Sequence, residues 1–157
     1  MPIERAEGFR IVRAGPGELD AAAPLFDAYR QFYNKLPDLE AARRFLSARL
    51  AKRDSVLYLG YTAHHSPRAS GFVHLYPSFD SLALRPMWIL YDLYVAPEAR
   101  RSGLGRALME RAAELGRETG ASCVALETAK DNLPAQALYE QLGYQRDALF
   151  YRYALSL

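Results

Sequence analysis

The stretch RRSGLGR, residues 100–106, has the residue types and the spacing of a site for a phosphate group. Its two glycines, Gly103 and Gly105, allow a tight backbone turn and the close approach of a ligand. The apolar run MWILYDLYV precedes it and leucines at helical spacing follow it, so we expect a strand, a turn and a helix. The first N–H groups of that helix would point outward beside three arginine side chains. The sequence therefore predicts a diphosphate site at this junction.

Two other interpretations of the same stretch stay open. It could be an ordinary strand-to-helix turn whose arginines are solvated. The stretch lacks the Gly-Lys-Ser/Thr of a P-loop, and the dinucleotide pattern Gly-x-Gly-x-x-Gly/Ala places Leu108 where the third small residue belongs. Glu127, however, lies at the end of the next predicted strand, where a dinucleotide-binding fold carries an acid for the ribose. A nucleotide-binding oxidoreductase is therefore kept as an alternative.

Asp92 is the only acidic residue in the apolar run MWILYDLYV. A charge on a buried strand needs a partner or a function, so Asp92 is a candidate general base, with a purely structural hydrogen-bond role as the alternative. Glu127 is the second candidate base, or else a strand residue that faces solvent. The histidines and Cys123 have no zinc spacing, so no metal is predicted, and Cys123 is expected to be a small buried strand residue.

The hydrophobic pattern predicts an α/β fold of the α+β, mixed-sheet kind, with the order β-α-α-β-β-β-α-β-α-β. Helices are expected from Leu19, Asp38, Leu104 and Asn132, the second and fourth with a capping side chain. The predicted strands are Phe9–Ala14, SVLYLGYTA, GFVHLYPSF, MWILYDLYV, CVALET and the C-terminal LFYRYAL. The strand-helix-strand unit around the glycines predicts a parallel pair. The other strands should be antiparallel, with helices on both faces of one sheet.

The overall composition fits one small enzyme domain, residues 1–157. A net charge of +2 is too weak to indicate a nucleic-acid partner. The start, MPIERAEGFRIVRAG, is neither a secretory signal nor a membrane span, and no apolar run approaches the ~18 residues of a transmembrane helix. The single cysteine cannot form an internal disulfide. We therefore expect a cytoplasmic protein without a membrane partner.

Two segments resemble the GNAT superfamily of N-acetyltransferases. The segment LYVAPEARRSGLGRALM resembles the family's acetyl-CoA-binding loop, Gln/Arg-x-x-Gly-x-Gly/Ala, and DNLPAQALYEQLGY resembles its second cofactor segment. The matching positions are Arg100, Gly103, Gly105, Asn132, Tyr139, Gly143 and Tyr144. The order of elements agrees with the family over nearly the full chain. Two motifs in the right order are far more specific than either alone.

The resemblance implies acetyl-CoA as cofactor and direct attack by an amine in a ternary complex. In the family, the central parallel strands splay apart and the pantetheine arm inserts between them, and Tyr139 matches the general acid that protonates the leaving thiolate. The cofactor-binding residues implied are Leu93, Tyr94, Val95, Arg100, Arg101, Ser102, Gly103, Leu104, Gly105, Arg106, Asn132 and Tyr139. A catalytically inactive acyl-CoA-binding regulatory module is the alternative, although the retained Tyr139 and the complete loop favour the enzyme.

The resemblance also implies an acceptor pocket made by the first two helices and the segment before the central strand. Aromatic side chains with an occasional acid suit an ammonium ligand, although each could equally be part of the core. The candidates are Tyr29, Arg30, Tyr33, Tyr76, Asp80, Tyr91 and Glu127. Polyamine acetyltransferases carry an acid just before Asp92, and Tyr91 departs from that pattern. The expected acceptor is the primary amine of a small molecule, an amino acid or a lysine peptide, and the expected assembly is a homodimer.

Overall fold

The structure is a computed structural model that describes residues 8–63 and 66–157. His64 and His65, two of the histidines that lack zinc spacing, lie outside the described residues. The start of the segment MPIERAEGFRIVRAG, from which we inferred that there is no secretory signal, also lies outside them. The chain divides into two compact units. The first ends at Glu127 and the second is Thr128–Leu157, and each is described by itself.

The described residues of the first unit form a five-stranded sheet with three α-helices. Its elements are β1 (Arg10–Arg13), α1 (Leu19–Phe32), α2 (Leu39–Lys52), β2 (Val56–Tyr61), β3 (Gly71–Asp80), β4 (Arg85–Val95), α3 (Leu104–Glu118) and β5 (Val124–Leu126), with short 3₁₀ turns at Pro16–Glu18 and Pro97–Ala99. The strands follow one another in chain order across the sheet. Neighbours from β1 to β4 are antiparallel, and β4 and β5 are parallel. The predicted mixed sheet and its parallel pair are confirmed.

The junction between α1 and α2 is held by carboxylates. Asp38 caps α2 as predicted, because its side chain accepts a hydrogen bond from the Ala41 N–H at 2.9 Å. The buried Asp27 accepts bonds from the Asp38 N–H at 3.0 Å, from Arg30 at 3.2 Å and from Gln31 at 3.1 Å. This network fixes the end of α1, which carries two of the predicted acceptor-site tyrosines.

Helices cover both faces of the sheet. On one face, α1 and α2 enclose a core made by Ala22, Ala23, Phe26, Ala42, Leu46, Leu50, Leu57, Leu59, Tyr61 and Phe72. On the other face, α3 lies close to Gly60 and Gly71, whose missing side chains make room for Leu104 and Leu108. A methyl group on Gly60 would come within 2.7 Å of a Leu104 methyl. The two glycines therefore set how closely the glycine-rich loop and its helix approach the strands.

A β-bulge interrupts β4 at Tyr91. Leu75 pairs with Leu90 and His74 pairs with Asp92, so Tyr91 is an extra residue on β4. Its side chain is 62% exposed, although the apolar run around it predicted a strand buried on both faces. Bulges bend a strand and redirect its side chains, and they are common beside active sites.

The second unit contains one helix, α4 (Leu133–Gln141). Asn132 caps it as predicted by accepting a bond from the Ala135 N–H at 3.3 Å, and Gly143 follows with φ +90°. The predicted final strand LFYRYAL is wrong for this unit, where the segment forms no strand. The side chains of Phe150 and Tyr151 are 79% and 89% exposed. Alternation predicts which face a strand would bury, but a strand also needs a neighbouring edge to take its N–H and C=O groups.

Candidate active site

The glycine-rich loop ends at an uncapped helix. Gly103 is the N-cap residue of α3, with φ +97°, and as a glycine it has no side chain to cap the first N–H groups of the helix. Arg101 has a positive φ of +60°. The Ser102 hydroxyl donates to the Ala99 carbonyl at 2.6 Å and accepts from the Leu104 N–H at 3.3 Å. The loop is therefore held by its own hydrogen bonds, while the start of α3 faces outward with its positive dipole end.

Arg100 does not extend toward the start of α3. Its Nε donates to the Val95 carbonyl at 2.9 Å, and its guanidinium lies 5.6 and 5.7 Å from the ring centres of Phe32 and Tyr94. Arg100 therefore fixes the loop to the end of β4 and to α1. These contacts position the loop, whereas the sequence pattern had predicted that Arg100 binds the cofactor.

The remaining cations face solvent at the helix start. Arg101 and Arg106 are exposed, and the Arg106 guanidinium lies 3.9 Å from Glu110 on the next turn. The first turn of α3 contains no acidic residue. Leu104 is fully buried, so only its backbone could serve a ligand. Free N–H groups, a positive dipole end and two arginines fit the diphosphate that the sequence predicted.

An open edge of β4 follows the bulge. Pairing between β4 and β5 runs from the Trp88–Val124 pair to the Leu90–Leu126 pair, whereas β4 continues to Val95. In the part of the sheet that the structure describes, residues 91–95 therefore have β3 on one side and no paired strand on the other. Alternate residues of such a segment direct N–H and C=O groups to the open side. An extended ligand could hydrogen-bond there as an added strand.

Beside this segment lies an aromatic cavity of about 480 Å³, on the α1–α2 face of the sheet. Its lining residues are Phe26, Phe45, Tyr76, Ile89, Tyr91 and Asp92. The rings of Phe26 and Phe45 are stacked at 5.6 Å, and those of Tyr76 and Tyr91 meet edge to face at 5.8 Å. Rigid aromatic walls around a single carboxylate are suited to a cation with an apolar body.

Asp92 is 5% exposed and His74, opposite it on β3, is fully buried. The His74 Nδ1 lies 3.3 Å from an Asp92 carboxylate oxygen. This close contact is not an aligned hydrogen bond, because Nδ1 has no partner with hydrogen-bond geometry. On the other side of the ring, Nε2 lies 2.7 Å from the Ser55 hydroxyl. The Tyr29 hydroxyl is within hydrogen-bonding reach of Asp92.

The tyrosines around Asp92 hold their protons tightly. Burial, followed by the negative charge of Asp92, raises the pKa of Tyr29 well above its ordinary value of 10.0. The same two causes raise the pKa of Tyr33 and that of Tyr76. These hydroxyls are therefore hydrogen-bond donors and are not proton acceptors near neutral pH.

The structure brings most of the predicted acceptor residues together. Tyr76, Tyr91 and Asp92 line the cavity, and Tyr29 reaches Asp92. Tyr33 meets Tyr29 edge to face at 5.2 Å.

Other predicted residues lie elsewhere. The Arg30 guanidinium pairs with Asp27. Asp80 is at the exposed tip of the β3–β4 hairpin, where it accepts bonds from the Ser122 hydroxyl at 2.8 Å and the Ala83 N–H at 3.1 Å. Asp80 is therefore not an acceptor-pocket residue. Glu127 is exposed and directly follows β5.

In the second unit, Asn132 and Tyr139 lie at the start and near the end of α4. Tyr139 is 9% exposed, and its ring lies 6.0 Å from that of Tyr144.

Sequence reasoning missed three site residues and misjudged one cysteine. Phe26 and Phe45 fit the apolar stripes of their helices, so nothing separated them from the core. His74 would have been found by pairing GFVHLYPSF with MWILYDLYV in register, but the bulge hides that register. Cys123 is exposed just before β5, because the strand is only three residues long. Among residues 8–63 and 66–157, no three His, Cys, Asp or Glu side chains are grouped as metal ligands.

The comparisons with known proteins agree with this geometry. The acetyltransferase (GNAT) family profile matches residues 22–144. The chain is 40% identical over 147 residues to the uncharacterized N-acetyltransferase YhfO of Bacillus subtilis, covering 94% of this chain and 97% of that one. A probable acetyltransferase of Haemophilus influenzae is 26% identical, with 94% and 98% covered.

Structural similarity extends over the same length. The crystal structure of a probable acetyltransferase has a TM-score of 0.88 at 44% identity and covers 94% of this chain and 97% of its own. None of the helices in the described part of the chain combines the length and apolar character needed to cross a bilayer. On the family match and the relatives together, this chain belongs to the GNAT family and is an acetyltransferase.

Proposed function

We propose that the protein transfers an acetyl group from acetyl-CoA to a primary amine by direct attack in a ternary complex. One observation carries the proposal. The segment 91–95, which leaves the edge of the sheet open toward β5, also carries the buried carboxylate of Asp92 at the aromatic cavity. An acyl donor on that edge and an amine in that cavity would meet at Asp92. GNAT acetyltransferases generally use acetyl-CoA and act on amines.

The chain's own groups suit this cofactor. The N–H groups at the start of α3, with Arg101 and Arg106, would bind the diphosphate. The open edge at Leu93–Val95 would pair with the pantetheine arm, and acetyl-CoA would supply the activated acetyl thioester. A backbone N–H near Leu93 would donate to the thioester oxygen, and one such donor contributes roughly 3 kcal/mol to stabilising an oxyanion.

The cavity suits a protonated alkylamine. An ammonium group would contact the ring faces of Tyr76 and Phe45 and approach the carboxylate of Asp92. A protonated amine has no lone pair for attack, so it must lose a proton, and Asp92 is the acceptor within the cavity. Glu127, the other candidate base, is exposed and outside the cavity lining. We therefore assign the base to Asp92, with Tyr29 donating a hydrogen bond to it.

The general acid is assigned to Tyr139 through the match of the second cofactor segment. A tyrosine of ordinary pKa, about 10, holds its proton at neutral pH and can give it to a thiolate. The resemblance further supports a one-domain subunit that forms a homodimer in the cytoplasm, without nucleic-acid or membrane partners. Light scattering of the purified protein tests the dimer.

The test is release of free thiol from acetyl-CoA across polyamines, amino acids, aminoglycosides and lysine peptides. Asp92→Asn and Tyr139→Phe should each lower kcat by about 100-fold with little change in acetyl-CoA affinity, and Tyr153→Phe, an exposed tail tyrosine, is the control. Tight acetyl-CoA binding with no acetylated amine would indicate the inactive regulatory module instead. If NAD raised the Tm of the protein and acetyl-CoA did not, the nucleotide-binding oxidoreductase would be favoured instead.

A further inference from the structure

A buried line of polar groups runs from the cavity across three strands. Asp92 on β4 faces His74 on β3, and the far side of the imidazole meets Ser55, the residue before β2. His74 has no access to solvent and Asp92 has very little, whereas Ser55 is half-buried. Nothing in the proposed acetyl transfer uses His74 or Ser55. A buried polar side chain that caps no helix and completes no strand pairing needs a separate explanation.

The two contacts of the ring require one particular tautomer. A neutral imidazole carries one N–H and one acceptor nitrogen. If the N–H were on Nε2, the lone pair of Nδ1 would face the Asp92 carboxylate at 3.3 Å, which is repulsive. With the N–H on Nδ1, the partial positive charge of that group lies beside the Asp92 carboxylate, and Nε2 accepts the Ser55 hydroxyl hydrogen at 2.7 Å. The bond at one ring nitrogen thus selects the proton on the other.

We propose that Ser55 and His74 position the base: Ser55 holds His74 as the Nδ1–H tautomer, and that N–H keeps the Asp92 carboxylate ionised and oriented toward the amine. The inference rests on the proposed function. His74 touches neither substrate nor cofactor, and it acts through Asp92. A donor to the charged form of a carboxylate favours that form. A small rotation of the ring about χ2, a soft torsion, would align the 3.3 Å contact as a hydrogen bond.

Other groups facing this line donate hydrogen bonds or lie farther away. Asp92 acts on Tyr29 from α1, on Tyr33 just after α1 and on Tyr76 from β3, and the other charged or titratable groups near these tyrosines are Arg49 from α2, Asp54 before β2 and Tyr91 on β4. Arg49 is occupied by Asp54, with its Nε 3.0 Å from the carboxylate. The raised pKa values of Tyr29, Tyr33 and Tyr76 keep these hydroxyls protonated near neutral pH. The tautomer of His74 therefore decides which group Asp92 meets on the β3 side.

Two amide substitutions separate the two ring nitrogens. Asparagine places an N–H near the Nδ1 position and glutamine places its amide near Nε2, so His74→Asn retains the donor to Asp92 and His74→Gln does not. In the pH profile of kcat/KM for an alkylamine, we expect His74→Gln to move the acid limb up by about one pH unit or more. His74→Asn should leave the limb close to that of the wild type. If His74 had only a packing role, His74→Asn would be the more damaging of the two variants, because asparagine leaves a larger void than glutamine.

Ser55 provides the second arm of the test, because it is half-buried and small substitutions can remove or keep its hydroxyl. Ser55→Ala should move the acid limb upward and Ser55→Thr, which keeps the hydroxyl, should restore it. Ser122→Ala is the matched control, because the Ser122 hydroxyl also bonds a carboxylate-bearing partner, Asp80, at the hairpin tip and outside the cavity lining. Equal limbs in Ser55→Ala and the wild type, or equal shifts in the two amide variants, would overturn the proposal.

A trifluoroethyl-type analogue of the amine, which is largely neutral near pH 7, gives an internal check. It arrives without the ammonium proton, so its attack does not depend on removal of that proton by Asp92, and the ratio of wild-type to His74→Gln rates should be smaller for it than for the alkylamine. Nitrogen-15 NMR of the wild-type imidazole provides a readout that needs no turnover. An Nε2–H tautomer or a doubly protonated ring would refute the positioning role even with the acetyltransferase active. Absence of any amine acetylation, with the Nδ1–H tautomer present, would refute the proposed function and not the tautomer assignment.

Discussion

Replacing Gly103 with alanine tests whether the turn before α3 binds the cofactor. Gly103 has φ +97°, a conformation that costs a residue with a side chain about 1–2 kcal/mol. The space around it is adequate, because an added methyl group would meet only the Phe9 ring, at 3.5 Å. The cost therefore comes from the backbone itself. The free energy of unfolding should fall by about 1–2 kcal/mol, which lowers Tm by about 2–8 °C for a chain of this length.

Gly120 supplies a control with the same strain in a different place. It has φ +67° at the other end of α3, and an added methyl group there would meet nothing within 4 Å. Gly120→Ala should therefore lose a similar amount of stability. Only Gly103→Ala should turn the N–H groups of the loop away from a diphosphate.

Calorimetric titration with CoA distinguishes the two variants. We expect Gly103→Ala to raise Kd about tenfold or more, which corresponds to about 1.4 kcal/mol, and Gly120→Ala to leave Kd unchanged. If both variants bound CoA like the wild type while both lost stability, the turn would be an ordinary strand-to-helix connection with solvated arginines. The assignment of the cofactor site would then fail.

Three further outcomes follow from the packing and the pKa shifts. Gly71→Ala should lower the free energy of unfolding by about 1–3 kcal/mol in urea titrations, because its methyl group would lie 2.8 Å from a β4 carbonyl oxygen. Burial, and then the charge of Asp92, raises the pKa of Tyr29. The linked contribution to stability is present below pH 10 and is lost as the pH rises further. The urea midpoint should therefore fall more steeply above about pH 10 in the wild type than in Tyr29→Phe. The Ser122 hydroxyl is the main cause that lowers the pKa of Asp80; that stability is present above pH 3.8 and lost below it, so Asp80→Asn should flatten the acid end of the thermal-stability profile.

The sequence predicted the elements whose causes are local. Asp38 and Asn132 are N-caps with a hydrogen bond to an N–H three residues on, and this pattern is visible in the chain itself. Short runs of apolar residues, alternating in β1 and nearly continuous in β4, located β1 to β4. The connection through α3 predicted the parallel pair. In these cases the residues that decide the structure are neighbours in the sequence.

The sequence did not predict features that depend on a distant partner. The tail LFYRYAL alternates as a strand should, yet within its own unit no edge is available to pair with it. His74 looked like one more strand residue, because its meaning depends on which β4 residue lies opposite. Arg100 matched a cofactor motif, but its side chain bonds the Val95 carbonyl. Each outcome depends on contacts that no local pattern encodes.

The bulge at Tyr91 is the feature that joins the two halves of the site. If β4 paired with β3 in unbroken register beyond Leu90, His74 would face Tyr91, and Asp92 would point to the α3 side of the sheet, because a shift of one residue exchanges the two faces of a strand. With it, Tyr91 and Asp92 are neighbours in sequence and both line the cavity, which strict alternation does not allow. Pairing with β5 stops one residue earlier, at Leu90. A single inserted residue thus turns the carboxylate toward the aromatic cavity at the point where the edge of the sheet opens, which is the arrangement that the proposed ternary complex requires.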